Sequence, residues 1–352
     1  MAGGAVLKDA KWYAFDVDNM RPYGAPLTEF VPGTIARDGA VKALDHTFLS
    51  WLGSVVAPSP PTKDLALHLR RTVTQAQALD PVAYKQGYTS GKPGTISGYF
   101  PSMNLDQLKE LTITPHITPQ EVGCLMRAIE KKRIETSRNN MEIFSKEVSA
   151  SGGTYTPMPQ GYYLSQADVL SEGECAVLAN AMALALENKQ EHILINNFFT
   201  AIADLSTPKS IKFRNDMSRF QGMLENNVLG QQTPRQATHD LIIDELANAQ
   251  KSKKLLIRDQ GHVVLAGVSV ENNNKLWFYY DPNFGLVKYP TETAMRKGLD
   301  SALHSGRSSV LLKPYGADVA KPEYRYAEFN ELELMSSTQS LTSLHGLFNK
   351  AL

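Results

Sequence analysis

From Glu174 to Asn188 the chain has almost no polar face. Val177, Leu178, Ala181, Met182, Leu184 and Ala185 give a nearly continuous apolar surface, and a helix of that kind is stable only when its neighbours bury it. Those neighbours follow in sequence. A second helix is expected over about Glu191 to Leu205, and Thr233-Pro234 opens a third, in which Leu241, Ile242, Leu246 and Ala247 recur at helical spacing. Leu255 to Arg258, His262 to Val270 and Leu276 to Tyr280 then read as short strands rich in β-branched and aromatic residues. The last two are joined by the turn Glu271-Asn272-Asn273-Asn274-Lys275. Further strands are expected at Gly285 to Tyr289 and Ser308 to Leu312, with a helix at about Thr291 to His304 between them. Helices and strands that fall in separate runs make an α+β fold with an antiparallel sheet.

Upstream the composition breaks once, at Ser149 to Gly161, where small and polar residues with two prolines read as a loop or linker. Before it, Leu65 to Leu79 and Leu105 to Leu111 look helical, separated by the Gly- and Pro-rich stretch Gly87 to Pro101. Thr118-Pro119-Gln120-Glu121 combines an N-cap, a first-turn proline and a capping-box acid, opening a helix that runs to about Val148. The expected organisation is therefore a mainly helical targeting or regulatory region over 1–150, an α+β domain over 151–323 and a tail over 324–352. For the tail, a helix, a lid and a flexible end are all open. Lys131-Lys132-Arg133 reads as a solvated face, with contact to an acidic partner or a membrane as the alternative.

Composition narrows the function. With 36 basic and 36 acidic side chains in 352 residues the formal charge is zero, which argues against an obligate nucleic-acid binder. Two cysteines make neither a disulfide framework nor a four-thiolate zinc site. The start, MAGGAVLKDAKWYAFD, lacks the pattern of a secretory signal, and no apolar run approaches the roughly 20 residues needed to cross a bilayer. A soluble chain is expected, and delivery by a dedicated machine would leave the same sequence.

Gly173-Glu174-Cys175-Ala176 places a thiol in the first turn of the buried helix. Unpaired amides and the positive end of the helix dipole stabilise an anion there, and a nearby imidazolium adds to this. Thiols so placed fall from about 8.5 to roughly 3.5–7.5, and a drop of about three units is on the order of 4 kcal/mol. The same amides, with that of Cys175 itself, can donate to the oxyanion of a tetrahedral intermediate. The base should be a histidine brought close by the fold and steadied by an acid. His262 opens one strand of the expected hairpin and Asp281 ends the other, so antiparallel pairing makes them neighbours. Pro282-Asn283 stops the second strand and exposes the carboxylate at its end.

In order, a cysteine at a helix start after Gly-x, a histidine opening an apolar strand and an aspartate in Asp281-Pro282-Asn283-Phe284-Gly285 resemble the YopT/AvrPphB-like cysteine proteases of bacterial effectors. The resemblance covers about Tyr162 to Tyr289. It implies a papain-like core, with a helix-borne Cys and sheet-borne His and Asp meeting across a cleft. Within this group the chain is most similar to the self-processing effector domains of MARTX toxins and of the "makes caterpillars floppy" toxins. The resemblance implies Cys175 as nucleophile, His262 as general base and then acid, and Asp281 as the group orienting the imidazole. Papain-like enzymes also place a side-chain amide upstream of the cysteine in the oxyanion hole, and the nearest glutamine is Gln166. No Trp follows Cys175, a departure from the commonest papain pattern. No cofactor is implied. The implied first substrate is the chain's own polypeptide, in the stretch before Trp12. The implied activator is a host protein, an ADP-ribosylation-factor GTPase in the toxin relatives. The implied location is the host cell cytoplasm, with association at a membrane surface open. MARTX effector domains are released by cutting after leucine, and Phe348-Asn349-Lys350-Ala351-Leu352 fits that.

Other readings are weighed against this one. A deamidase or acyltransferase could use the same three residues on a different electrophile, and a binding module could use Cys175 only for packing. Cys124, in Val122-Gly123-Cys124-Leu125-Met126, reads as core. His46, His68, His116, His192, His239, His304 and His345 lack the i, i+4 spacing of a helical zinc site, so no metal is expected. Phe15-Asp16-Val17-Asp18 is a strand ending in two alternate aspartates that could share a divalent cation, but Asn19-Met20-Arg21 stands where an aspartyl phosphatase has Gly-Thr. Ser90 to Thr95 resembles a phosphate loop only superficially, since Pro93 would interrupt the helix that should follow.

Overall fold

The computed structural model describes residues 62–90, 103–113, 117–224, 234–272, 274–304, 312–316, 318–332, 334 and 344–352. Of 4–8, 11–16, 21–26 and 62–66 it describes the backbone. Val17-Asp18, Gly91 to Thr95 and Ser308 to Leu311 lie outside them. The chain divides into two compact units, one of residues 1–133 with Val169–Glu172 and one of Ile134–Asp168 with Gly173–Leu352.

The first unit opens with strands where a helical region was expected. β1 (Gly4–Lys8), β2 (Lys11–Asp16) and β3 (Arg21–Pro26) form a three-stranded antiparallel sheet. Lys8 pairs with Lys11, and the intervening sequence Asp9-Ala10 lacks the Asn-Gly or Asp-Gly signal that marks a tight hairpin. Among the described residues four helices follow: α1 (Thr62–Leu79), α2 (Pro81–Ser90), α3 (Leu105–Thr112) and α4 (Pro119–Ser151). The expected capping box at α4 forms, with Thr118 N donating to Glu121 Oε2 at 2.8 Å and Glu121 N to Thr118 Oγ1 at 3.3 Å. Leu69, Val73, Leu108, Leu111, Leu125 and Ile129 build this unit's core, with Cys124 among them. Arg133 departs from the solvated face read for it. It is buried, and its guanidinium donates to the carbonyls of Val169 and Ser171.

α4 runs through the boundary between the units, so the division falls at Arg133/Ile134 and not in the stretch read as a linker. That stretch is structured. β4 (Thr154–Pro157) pairs with β9 (Gly285–Tyr289) at the edge of the large sheet, and α5 (Gln160–Ala167) follows. Its small, polar, proline-containing sequence suits a largely exposed edge strand.

The second unit is a seven-stranded antiparallel sheet in the order β4-β9-β8-β7-β6-β10-β5. β6 (Lys253–Arg258), β7 (Val263–Glu271), β8 (Asn274–Asp281) and β9 fall where the alternating apolar residues place them. Leu265, Phe278 and Tyr280 point to one side, against α6 (Cys175–Glu187), α7 (Glu191–Ala203) and α8 (Pro208–Leu224). Val264, Ala266, Trp277 and Tyr279 point to the other, against α9 (His239–Ala247), α10 (Glu292–Leu303) and Phe144 and Val148 of α4. Every residue of α6 from Ala176 to Ala185 is buried, as its missing polar face requires.

Two further expectations are corrected, and one helix was not foreseen. The helix placed at Thr233-Pro234 begins only at His239, and Arg235–Thr238 is β5, a polar edge strand paired with β10 (Glu323–Glu328). The sequence also hides α8, whose buried Phe213, Met217, Phe220 and Leu224 form a narrow stripe among charged residues. The 324–352 segment is no appended tail. β10 lies inside the sheet between β6 and β5, and Leu344, Leu347 and Phe348 are fully buried in the core that surrounds α6. The buried Asn197 fastens this end, its Nδ2 donating to the Leu347 and Lys350 carbonyls and its Oδ1 accepting from Leu352 N.

Gly267 lies where β7 crosses beneath Phe278. A Cβ there would fall 2.3 Å from Phe278 Cζ and 2.6 Å from the Lys253 carbonyl oxygen, and the paired strand holding that oxygen cannot yield. Gly267→Ala is expected to destabilise the protein by about 1–3 kcal/mol, read as a lower urea midpoint. An unchanged midpoint would contradict the packing described.

Candidate active site

The β7–β8 hairpin brings two of the candidate residues together. Pairing runs from Glu271 opposite Asn274 to Leu265 opposite Tyr280, and continuing that register sets the residue before β7 beside the end of β8. His262 Nε2 lies 2.7 Å from Asp281 Oδ1. The carboxylate is buried, and Asn283 N donates to its Oδ1 at 2.8 Å while Tyr279 Oη donates to its Oδ2 at 3.3 Å. Asn283 Nδ2 also approaches His262 Nε2, to 3.2 Å. A ring nitrogen cannot donate to a carboxylate and accept from an amide at once, and the shorter, charge-assisted contact makes Nε2 the donor.

The backbone that carries His262 is fixed by Asp259, which sequence reasoning missed. Its Oδ1 accepts from the amides of Gly261 and His262, its Oδ2 from Lys313 N, and its own amide donates to the His262 carbonyl at 3.0 Å. The Asp-x-Gly-His spacing before a strand is the signal that could have shown it, since an Asp two or three residues ahead of free amides forms an Asx-type turn.

Cys175 opens α6 near enough to the imidazole to act on its charge. With Nε2 engaged by the carboxylate, Nδ1 is the nitrogen left for the thiol. The structure therefore brings Cys175, His262 and Asp281 into one group. Burial acts to lower the His262 pKa, but the adjacent Asp281 carboxylate and then Cys175 outweigh it and hold the imidazole well above its ordinary value of 6.5.

Gln166 does not join this group as expected. It sits exposed on α5 with its amide 3.4 Å from Ser165 Oγ. The glutamine beside the cysteine is Gln160, at the start of the same helix and buried. Its Oε1 accepts from Glu174 N at 2.8 Å, and its Nε2 donates to Asn283 Oδ1 at 2.8 Å. Gly173, at φ +156°, gives it room: a Cβ there would lie 3.3 Å from Gln160 Oε1. Gln160 thus links the start of α6 to the turn that follows Asp281. Choosing the glutamine nearest in sequence failed because contact is set by the fold and not by spacing.

The first-turn amides are not all free either. Ala176 N and Val177 N both donate to Gln221 Oε1 of α8, at 3.1 and 3.2 Å. Elsewhere, His239 Nε2 lies 3.2 Å from a carboxylate oxygen of Asp240 and of Asp300. Among the described residues this is the one grouping that could hold a metal ion, and the histidine survey missed it because Asp300 comes from another helix. It has the geometry of an ion pair and contains none of the three residues above.

Residues 68–336 match the model of a family described as the Mcf1 protease effector domain. Among solved structures, PatoxP, a cysteine protease-like domain of the Photorhabdus asymbiotica toxin PaTox, aligns with a TM-score of 0.43 at 13% sequence identity, over 76% of this chain and 87% of that one. The Pseudomonas avirulence protein AvrPphB aligns with a TM-score of 0.26 at 11% identity, over 45% of this chain and 92% of its own. No curated protein matches.

A histidine whose folded-state pKa is raised adds stability that is complete below its unfolded value, near 6.5, and is lost as pH climbs through the folded value. Asp281→Asn removes the charge responsible. Its His262 Hε1 resonance is expected to titrate at lower pH than in the wild type, and its stability deficit should be largest near pH 5–6 and shrink as pH rises. A His262 titration that does not move would contradict the assignment of Asp281 as the cause.

Proposed function

This chain belongs to the Mcf1 protease effector domain family, a family of toxin effector proteases, and from that premise we propose that it is a thiol protease working through Cys175, His262 and Asp281. The observation that carries the reading is the imidazole bonded through Nε2 to a buried carboxylate, with the half-exposed Cys175 near enough to act on its charge. His262 Nδ1 takes the thiol proton, and the thiolate attacks the peptide carbonyl carbon. The developing oxyanion is held by the Cys175 amide and by the second N–H of Gln160 Nε2, the first being committed to Asn283. As the tetrahedral intermediate collapses, imidazolium gives its proton to the departing amine. Water deprotonated by the same nitrogen then attacks the thioester, and the thiolate leaves. Asp281 holds Nε2–H throughout, so the ring presents Nδ1 at every step.

The first substrate in this reading is the chain itself, before Trp12. That stretch includes β1, which would have to part from β2 for an extended segment to be cut. The setting is the host cell, with a host protein of the ADP-ribosylation-factor GTPase class as activator. Among the described residues no helix is long and apolar enough to cross a membrane.

Mass spectrometry of the full chain mixed with host-cell lysate tests the reading. The wild type is expected to lose an N-terminal piece, while Cys175→Ser and His262→Ala stay intact, with rates lower by about 10³-fold or more. Shortening of Cys175→Ser at the wild-type rate would overturn the assignment. An intact wild-type chain with host glutamine side chains converted to glutamate would replace the protease with a deamidase on the same residues.

A further inference from the structure

The residue in the N-cap position of α6 does not cap it. Glu174 precedes Cys175 with its side chain buried and makes no side-chain cap bond to the helix, and the amides that an N-cap normally satisfies, those of Ala176 and Val177, go to Gln221 from α8. The amide orientation is not in doubt, because both partners are N–H donors and only Oε1 can accept from them. A carboxylate in the same place would cap at least as well, since negative charge is favoured at a helix N-terminus. It would also lie beside the nucleophile and oppose the charge that forms there. Gln221 supplies the acceptor without the charge.

Resting on Cys175 as the nucleophile, we propose that Gln221 is the cap of the nucleophile's helix, contributed from another helix, and that it holds the turn presenting the sulfur without setting a charge beside it. It is a positioning residue: it touches the turn that presents the sulfur and takes no part in bond making. The ionisable groups around Cys175 are His262 before β7, Tyr280 and Asp281 on β8, and Glu174 before α6. α5 adds Tyr163, close enough to Glu174 to feel its charge, and α8 adds Asp216, paired with Lys212 and Arg219. Arg214 of α8 also acts on Tyr163. Both capped amides go to Gln221, so a charge introduced at 221 would be new at that turn.

Iodoacetamide alkylation of the full chain reads this directly. The chain has two cysteines, and Cys124 is buried with its thiol pushed up by desolvation to about 11, so labelling reports Cys175. Gln221→Glu is expected to melt at or above the wild-type temperature, yet to be alkylated about tenfold more slowly at pH 6, the gap closing by pH 9. Gln221→Met, whose thioether is only a weak acceptor, should let the Ala176 and Val177 amides exchange with solvent faster than in the wild type. The proposal is overturned if Gln221→Glu is alkylated like the wild type at every pH. It is also overturned if that variant is slower by the same factor throughout with a lower melting temperature, the mark of a merely structural contact, or if exchange at Ala176 and Val177 is unchanged in Gln221→Met. A wild-type Cys175 that reacts no faster than free cysteine at pH 6 would instead count against Cys175 as nucleophile, and the exchange measurement would still decide the cap.

Discussion

The bond between His262 and Asp281 depends on one constraint, the register of the β7–β8 hairpin. Slipping either strand by one residue would turn its core side chains to the opposite face and part the imidazole from the carboxylate. The alternation prevents this. Phe278 and Tyr280 belong with α6, Trp277 and Tyr279 with α9 and α10, and neither layer can be exchanged for the other without burying the wrong set. The precision of the site is therefore inherited from the packing of the whole sheet, and the loop at Asp259 and the turn at Asn283 only trim the ends.

The other half of the site is a helix that could exist nowhere but in the middle of a core. α6 brings its sulfur to the sheet because it is enclosed on one side by β7 and β8 and on the other by α7 and α8. Gln160 joins the two halves by reaching from Glu174 N to Asn283. A buried side-chain amide suits that task. It can donate and accept at once and carries no charge to disturb the ion pair beside it.

What could be read from the sequence follows from which interactions are local. The strands around His262 and Asp281, the helix start at Cys175 and the capping box at Thr118 are each written in fewer than about twenty consecutive residues, and each falls where expected. Contacts between distant segments were not legible. Gln166 was preferred to Gln160 because nearness in sequence stood in for nearness in space. β4, β5 and β10 escaped notice because their apolar pattern is short or their exposure high, and their identity as strands comes from their partners. α8, with its narrow apolar stripe, left Gln221 unforeseen.

The position of β10 bears on how the molecule can be assembled. It sits between β6 and β5, yet it is synthesised more than sixty residues after either. A chain emerging or being threaded from its N-terminus must hold β6 with a bare edge and β5 with no strand to pair with until Glu323–Glu328 arrives. Leu344, Leu347 and Phe348 then have still to enter the core around α6. Completion of the sheet thus waits on Glu323–Glu328, and a chain lacking that strand would present β6 with an open edge.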